Sequence, residues 1–410
     1  MRRTLSAFVV GLALVGAPAK ADTICEWMDF SSKIETAASP PPSAPRTGEH
    51  DRAQTQVALA MFEALNAIDR RYQSYLGLAK DDAKADQTAA AATAAYRVLL
   101  AHFPSQKAAL DESYAMSLDG LSSGAARESG QRIGNAAAEL ALKAGLVDAA
   151  VKQIPYAPRA PTGVWVPTQL PVFPPYFLAQ KPWFIERADA LRPAAPPTVT
   201  SERYARDLDE VRRLGSKTST ERTPHQTLMA RYRITFDMMP ALRLVADAKG
   251  RRPVENARLF ALHQMINDDA LLAIADAKLH YDYWRPITAI RNAEADGNPA
   301  TIAEPGWEPL IATPNHPEYP CGHCIGAAAT AEFMKSEYGN TPSSGVRVAS
   351  RSIPGAAVQV LPTWDKWAEE VSFSRILGGV HYRFSNDAGA HMGRKVARIA
   401  LASHMRPIGN

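Results

Sequence analysis

Apolar residues recur at three- and four-residue spacings along most of this chain, and the alternation of a half-buried strand is nearly absent. That pattern limits the fold to packed helices. Val57, Met61, Ala64, Leu65 and Ile68 share one face of a helix starting near Asp51. A second helix is expected from Gln87 to Phe103 and a third from Gln106 to Leu118. A fourth carries Ile133, Ala136, Ala137, Leu140 and Ala141 and stops at Gly145. Short connections make residues 51–153 an N-terminal helical bundle. An all-α protein follows.

Residues 154–200 change character. Prolines recur from Pro155 to Pro182, with Trp165, Phe173, Tyr176, Phe177 and Trp183 among them. A flexible linker would not carry so many aromatics, so this segment is expected to be an ordered strap across the helices. Helices resume over Glu202–Leu214 and from Pro224, at a first helical position after Thr223, to about Met239. A long apolar helix opens at Pro253 and runs into Lys278. A loop covers 292–319. Helices follow from Gly322 to about Gly339, from Trp364 to Leu377, and from an N-cap at Ser385 or Asn386 to about Met405. Residues 201–410 therefore form a C-terminal helical region.

The chain has 410 residues, 46% of them hydrophobic, enough for one large domain or two helical halves. Its net charge of +4 comes from scattered Lys and Arg, which excludes a nucleic-acid-binding signature and suits an anionic substrate. Residues 1–21 read as a signal peptide: Arg2 and Arg3, an apolar Leu5–Val15 core too short to span a bilayer, and Ala19-Lys20-Ala21 as a cleavage site. The expectation is an exported protein, periplasmic or extracellular, with no membrane span after cleavage. Residues 22–50, Pro- and Ser-rich, read as an irregular leader. Nothing excludes a homo-oligomer.

Three stretches carry chemistry. In the first, Lys278 and Arg285 lie seven residues apart, two helical turns or roughly 10 Å along one face. Pro286 should end that helix and leave the guanidinium at a rim. Two solvated surface charges are the plainer reading of this pair alone. In the second, Cys321-Gly322-His323-Cys324 has the spacing of dithiol–disulfide exchange sites, but the strand and parallel-sheet setting of such sites are missing. A structural disulfide, two buried thiols, or a glycine loop that brings an anion to a helix N-terminus remain open. In the third, Arg375 and His381 can meet only if Gly378-Gly379 redirects the chain.

Taken in order, these stretches resemble the vanadium-dependent haloperoxidases and the wider type 2 phosphatidic acid phosphatase and bacterial acid phosphatase superfamily. The matching residues are Lys278, Arg285-Pro286, Pro320-Cys321-Gly322-His323 and Ser374-Arg375 with His381. Trp284–Arg291, His316-Pro-Glu-Tyr-Pro and Gly379–Phe384 extend the likeness to soluble, secreted bacterial haloperoxidase-like proteins. The resemblance implies two helical bundles. It implies that Lys278, Arg285, Arg375, Cys321 and Gly322 hold vanadate, or phosphate, in one pocket. His381 would be the vanadium ligand or the nucleophile toward phosphorus, and His323 the acid–base partner. His316 matches a position that hints at bromide or iodide rather than chloride, although a plain loop histidine fits as well.

The implied activity is oxidation of halide by hydrogen peroxide. The alternatives are an acid phosphatase that hydrolyses a phosphomonoester through a phosphohistidine, and a silent oxyanion-binding protein. Two departures matter. The family's oxyanion-binding Ser is Cys321, a weaker donor and no donor at all if bonded to Cys324. The Asp that orients the histidine in membrane-bound phosphatases is replaced by Ser385.

Overall fold

The structure, a computed structural model, describes residues 22–38, 52–144, 161–168 and 180–409. Among these residues there are thirteen α-helices: α1 (Thr23–Ala38), α2 (Ala53–Ile68), α3 (Gln87–His102), α4 (Lys107–Leu118), α5 (Ala125–Ala144), α6 (Glu202–Gly215), α7 (Pro224–Tyr232), α8 (Met239–Ala246), α9 (Pro253–Tyr281), α10 (Pro286–Arg291), α11 (Gly322–Tyr338), α12 (Trp364–Leu377) and α13 (Arg383–Ser403). The proposed signal peptide lies outside the described residues.

The 29-residue α9 organises the molecule. One side packs on α2, which is bundled with α3 and α5. The other packs on α11, which meets α12 and α13. α9 is buried nearly all round, from Val254 to Lys278, as a helix shared by two bundles must be. α13 approaches α11 through Gly389 and Gly393. A Cβ at 389 would lie 2.4 Å from Cys321 O, and one at 393 would lie 2.1 Å from Ile325 O. These glycines let α13 lie against the start of α11.

The described parts of the strap are ordered, as expected. Trp165 N donates to Asp282 O at 2.8 Å and Trp284 N to Gly163 O at 3.0 Å. The Asp269 carboxylate on α9 accepts from the amides of Trp183, Phe184 and Ile185. Tyr283 Oη donates to Pro197 O and Tyr319 Oη to Ala194 O. The strap is thus bound to the segments that carry the candidate site. Phe173, Tyr176 and Phe177 lie outside the described residues.

Four expectations are corrected. Residues 23–38 are helical, not an irregular leader: Ile24, Trp27, Met28, Ser31 and Ile34 form a buried face at helical spacing. The helix opened by Pro224 ends at Tyr232, not near Met239, because the chain turns to pair as a strand and Pro240 sits in the first turn of α8. That strand belongs to a small antiparallel sheet, β1 (Phe236–Asp237), β2 (Val346–Ser350) and β3 (Gln359–Leu361), too short to show in the periodicity. Lastly, α13 begins at Arg383, ahead of Ser385. Asp207 Oδ2 from α6 accepts from Phe384 N at 3.0 Å, so a partner distant in sequence supplies the cap.

Candidate active site

Lys278 lies in the last turn of α9. The helix stops three residues later because Asp282 is left-handed (φ 45°), and Pro286 starts α10 with Arg285 as N-cap. Lys278 and Arg285 therefore do not share one continuous helix face, and Arg285 is 0% exposed rather than at a rim. The local break swings the guanidinium inward. Arg285 Nε donates to His316 O at 2.9 Å and Nη1 to Val380 O at 2.8 Å, with Nη1 3.3 Å from His381 Nε2. Lys278 Nζ donates to Pro317 O at 3.0 Å and Glu318 O at 2.6 Å.

The expected redirection brings Arg375 within electrostatic range of His381. Gly378 caps α12, and Gly379 takes φ +78°, with Val380 N returning to Arg375 O at 3.1 Å. A Cβ at 379 would stand 2.6 Å from Gly215 O, so only glycine makes this turn here. Arg375 is buried; its Nε donates to Ser374 Oγ at 3.2 Å, while Nη2 has no partner.

Three cationic side chains are thus nearly dry and mutually repulsive. Burial, then Arg285, pushes the Lys278 ammonium well below its usual range, opposed by Glu318. Burial lowers Arg285 to about 10 and, with Arg285 beside it, Arg375 to about 9, so both guanidiniums stay charged at neutral pH. Three buried like charges are costly, and one carboxylate cannot balance them, so an anion would be favoured beside them.

The counter-charge the chain itself supplies is a residue the sequence reading passed over. Glu318, in the His316-Pro-Glu-Tyr-Pro stretch, is 0% exposed. Its Oε1 accepts from His381 Nδ1 at 2.6 Å and from Tyr382 N at 3.2 Å. Accepting both, Oε1 fixes the proton on Nδ1 and leaves the lone pair of His381 on Nε2, toward the cations. Glu318 Oε2 and the Ser385 hydroxyl are both buried without a well-formed hydrogen bond, though within reach of each other. Burial raises the Glu318 carboxyl to about 7 against the pull of Lys278 and Arg285. The carboxylate missing at 385 in the sequence is therefore provided from 67 residues upstream. A carboxylate orienting the histidine was the signal to look for, but only the fold brings Glu318 there.

Cys321 caps α11 and forms a disulfide with Cys324. Its Sγ accepts from Cys324 N at 3.2 Å, and neither sulfur keeps a proton to donate. Of the readings open for this stretch, the structural disulfide and the helix N-terminus coexist. Gly322 opens the helix, its Cβ position 3.9 Å from Lys278 Cε. His323 follows in the first turn, its Nε2 2.9 Å from Ile234 O. Donation to that carbonyl leaves Nδ1 as acceptor. Burial, then Arg375, depresses its pKa to about 3. His316 touches Arg285 through Nδ1 at 3.1 Å. Its ring reaches solvent, yet the enclosing protein and then Arg285 push its pKa well below the usual value.

An oxyanion fits these residues. The orphaned Arg375 Nη2, the two other cations and the first-turn amides of α11 supply donors and charge for the oxygens of a tetrahedral anion, and the His381 Nε2 lone pair could serve only its central atom. Only the Cys321 position withholds a donor. Among the described residues no cluster of three or more His, Cys, Asp or Glu could hold a metal cation.

The described residues thus form a mostly helical protein with three buried cationic side chains gathered near His381. Residues 258–410 match the family model for the VCPO second helical-bundle domain. The fold is similar to the structure titled the first bacterial vanadium-dependent iodoperoxidase: TM-score 0.77, 18% identity, covering 96% of this chain and 99% of that one. It is also similar to a bacterial vanadium-dependent chloroperoxidase in apo form (TM-score 0.67, 19% identity, 89% and 95% covered) and holo form (TM-score 0.66, 19% identity, 91% and 96% covered). No curated protein matches. The chain shares the fold of these vanadium-dependent haloperoxidases.

Proposed function

We propose that the protein is a vanadate-dependent haloperoxidase-type enzyme that oxidises halide with hydrogen peroxide. The observation that carries this reading is the convergence of buried Lys278, Arg285 and Arg375 on a histidine whose Nε2 lone pair is fixed by Glu318. His381 Nε2 and the three cations would hold vanadate, which would supply the Lewis acidity that activates peroxide toward halide. The chain's own contributions are distinct. Lys278, Arg285 and Arg375 hold the anionic charge, and their burial strengthens each contact. Glu318 keeps His381 oriented and unprotonated on Nε2. His323 Nδ1 is the acceptor that takes a proton from incoming peroxide and returns it to the departing oxygen. His316, on Arg285, bears on the halide; bromide or iodide is the preferred substrate.

Export, read from residues 1–21, agrees with a Cys321–Cys324 disulfide, which persists in oxidising compartments. Among the described residues no helix is long and apolar enough to cross a membrane.

One observation favours a second reading. The Glu318–His381 contact would equally orient a histidine for attack on phosphorus, giving a phosphatase with His323 protonating the leaving alcohol. Titration of the purified chain with orthovanadate, followed by bromination with hydrogen peroxide, tests the first reading. Saturable activation that His381→Ala abolishes supports it, and bromination that ignores vanadate removes it.

A further inference from the structure

His381 stands three residues ahead of Phe384, in a stretch that one face of α6 supports. Tyr204, Asp207, Val211 and Gly215 are buried at spacings of three, four and four, so they share that face. Residues 379–384 lie against it. A Cβ at 215 would stand 2.5 Å from Gly379 Cα, so the end of α6 touches the turn itself. The Tyr204 and Tyr382 rings are 6.1 Å apart. Arg383 Nε donates to Glu210 Oε2 at 2.8 Å, and Phe384 N donates to Asp207 Oδ2 at 3.0 Å.

The loop that carries Glu318 holds α6 in turn. Trp307 Nε1 donates to Arg212 O and Leu310 N to Gly215 O, each at 2.9 Å, and Arg212 pairs with Glu304. Two carboxylates therefore meet the start of α13 from elements that brace each other. Glu318 accepts from the Tyr382 amide and His381 Nδ1, and Asp207 from the Phe384 amide. Asp207 is 2% exposed and is the one buried charged side chain of α6. Burial raises its carboxyl pKa, opposed first by the Phe384 amide, so the charge is kept at a cost. A neutral capping side chain at the start of α13 would satisfy the same amide without burying a charge. The arrangement ties that amide to α6 instead, and with it the stretch that carries His381.

We propose that Asp207 is a positioning residue for His381. Its bond to Phe384 N fixes the entry into α13, so that His381 meets Glu318 through Nδ1 and keeps Nε2 toward the cations. The effect passes through backbone, since three residues separate Phe384 from His381. Without the bond, the residues between Gly379 and Phe384 gain freedom, and the imidazole can leave Glu318 or take the other tautomer. The proposal rests on the reading of His381 as the residue that meets the oxyanion. It does not depend on which reaction follows.

The test is nitrogen NMR of the vanadate-free chain labelled at its ten histidines, with the His381 signal assigned by His381→Ala, paired with calorimetric titration of orthovanadate. The native chain should show His381 protonated on Nδ1 and bare on Nε2. Asp207→Ala should mix the two tautomers and weaken orthovanadate binding about tenfold, the low end of the effect of losing a partner behind a ligating residue. Asp207→Asn, which keeps an acceptor oxygen, should restore both readouts. Asp86→Ala removes the cap of α3, where Asp86 Oδ1 accepts from Ala89 N at 2.8 Å in the first bundle. It should lower Tm and leave both readouts native. Asp207→Glu, which lengthens the arm by one methylene and should also shift the His381 signal, carries the test where Asp207→Ala does not fold. A native signal and affinity in folded Asp207→Ala, or in Asp207→Glu in its place, overturns the proposal. So does an equal effect of Asp86→Ala, or no rescue by Asp207→Asn. The NMR readout needs neither vanadate nor peroxide, so the two readings fail separately. A native chain that does not brominate, with a His381 signal that answers to residue 207, keeps the positioning role and removes the peroxidase reading. Vanadate-dependent bromination with a signal indifferent to residue 207 does the reverse.

Discussion

His381 Nδ1 and Glu318 Oε1 are 2.6 Å apart in the dry centre of the second bundle, and Tyr382 N donates to the same oxygen. The contact decides which imidazole nitrogen faces the three cations. Glu318→Gln keeps an acceptor but loses the charge. It should weaken vanadate binding and lower kcat about 10- to 100-fold, the usual effect of removing a partner that orients a ligating histidine. KM for peroxide should change little, and the acid limb of the kcat profile should shift. Equilibrium titration of vanadate and a pH–rate series check this. An unchanged profile would make Glu318 structural only.

Arg375 separates function from stability. Its unpartnered Nη2 and its buried charge are costs in the anion-free chain. Arg375→Met should therefore raise the Tm of the anion-free protein while removing the Tm gain given by orthovanadate. Differential scanning calorimetry with and without the anion reads both.

The disulfide predicts a gain. Replacing Cys321 by Ser together with Cys324 by Ala restores a hydroxyl where the bonded sulfur donates nothing, and Ser still caps α11. A hydrogen bond to a charged acceptor is worth about 1.5–3 kcal/mol, so vanadate affinity should rise roughly ten- to a hundredfold. Isothermal titration measures it. Affinity left at the native level would show that the cradle does not use this position.

Acid stability follows from the imidazoles. His263 is lowered to about 4, His323 to about 3, and His381 well below the usual value, burial being the main cause in each. A depressed folded pKa means that the unfolded chain binds protons first. Stability from these groups is complete above about 6.5 and is lost as pH falls toward 3. Glu318, raised to about 7, works the other way: its contribution is present at low pH and fades as pH rises through 7. Tm should therefore fall steeply below pH 6.5, and bound phosphate should flatten that limb by favouring protonated His323 and His381. A Tm series from pH 4 to 8, with and without phosphate, checks the sign.

Helix positions were legible because burial on one face leaves a periodic trace: α3, α6, α11 and α12 lie within a residue or two of the expected bounds. That Lys278, Arg285, Arg375 and His381 belong to one constellation is read from motif spacing, and the structure brings these buried side chains into one region. What escaped depends on contacts distant in sequence. Asp207 caps α13 from another helix, β1 pairs over two residues only, and Glu318 reaches His381 across 63 positions. Arg285 was expected at a rim because Pro286 suggested a helix end. The end is real, but the left-handed Asp282 turns the side chain inward. No local pattern encodes such a turn.

The proposed activity is vanadate-dependent halide oxidation at His381. One metal-stripped preparation, assayed in parallel with and without orthovanadate for bromination by hydrogen peroxide and for hydrolysis of a chromogenic phosphomonoester, tests it most directly. Bromination should appear only with vanadate and disappear in His381→Ala. Phosphate release that vanadate inhibits, with no bromination, would contradict it and make His381 the nucleophile of a phosphatase.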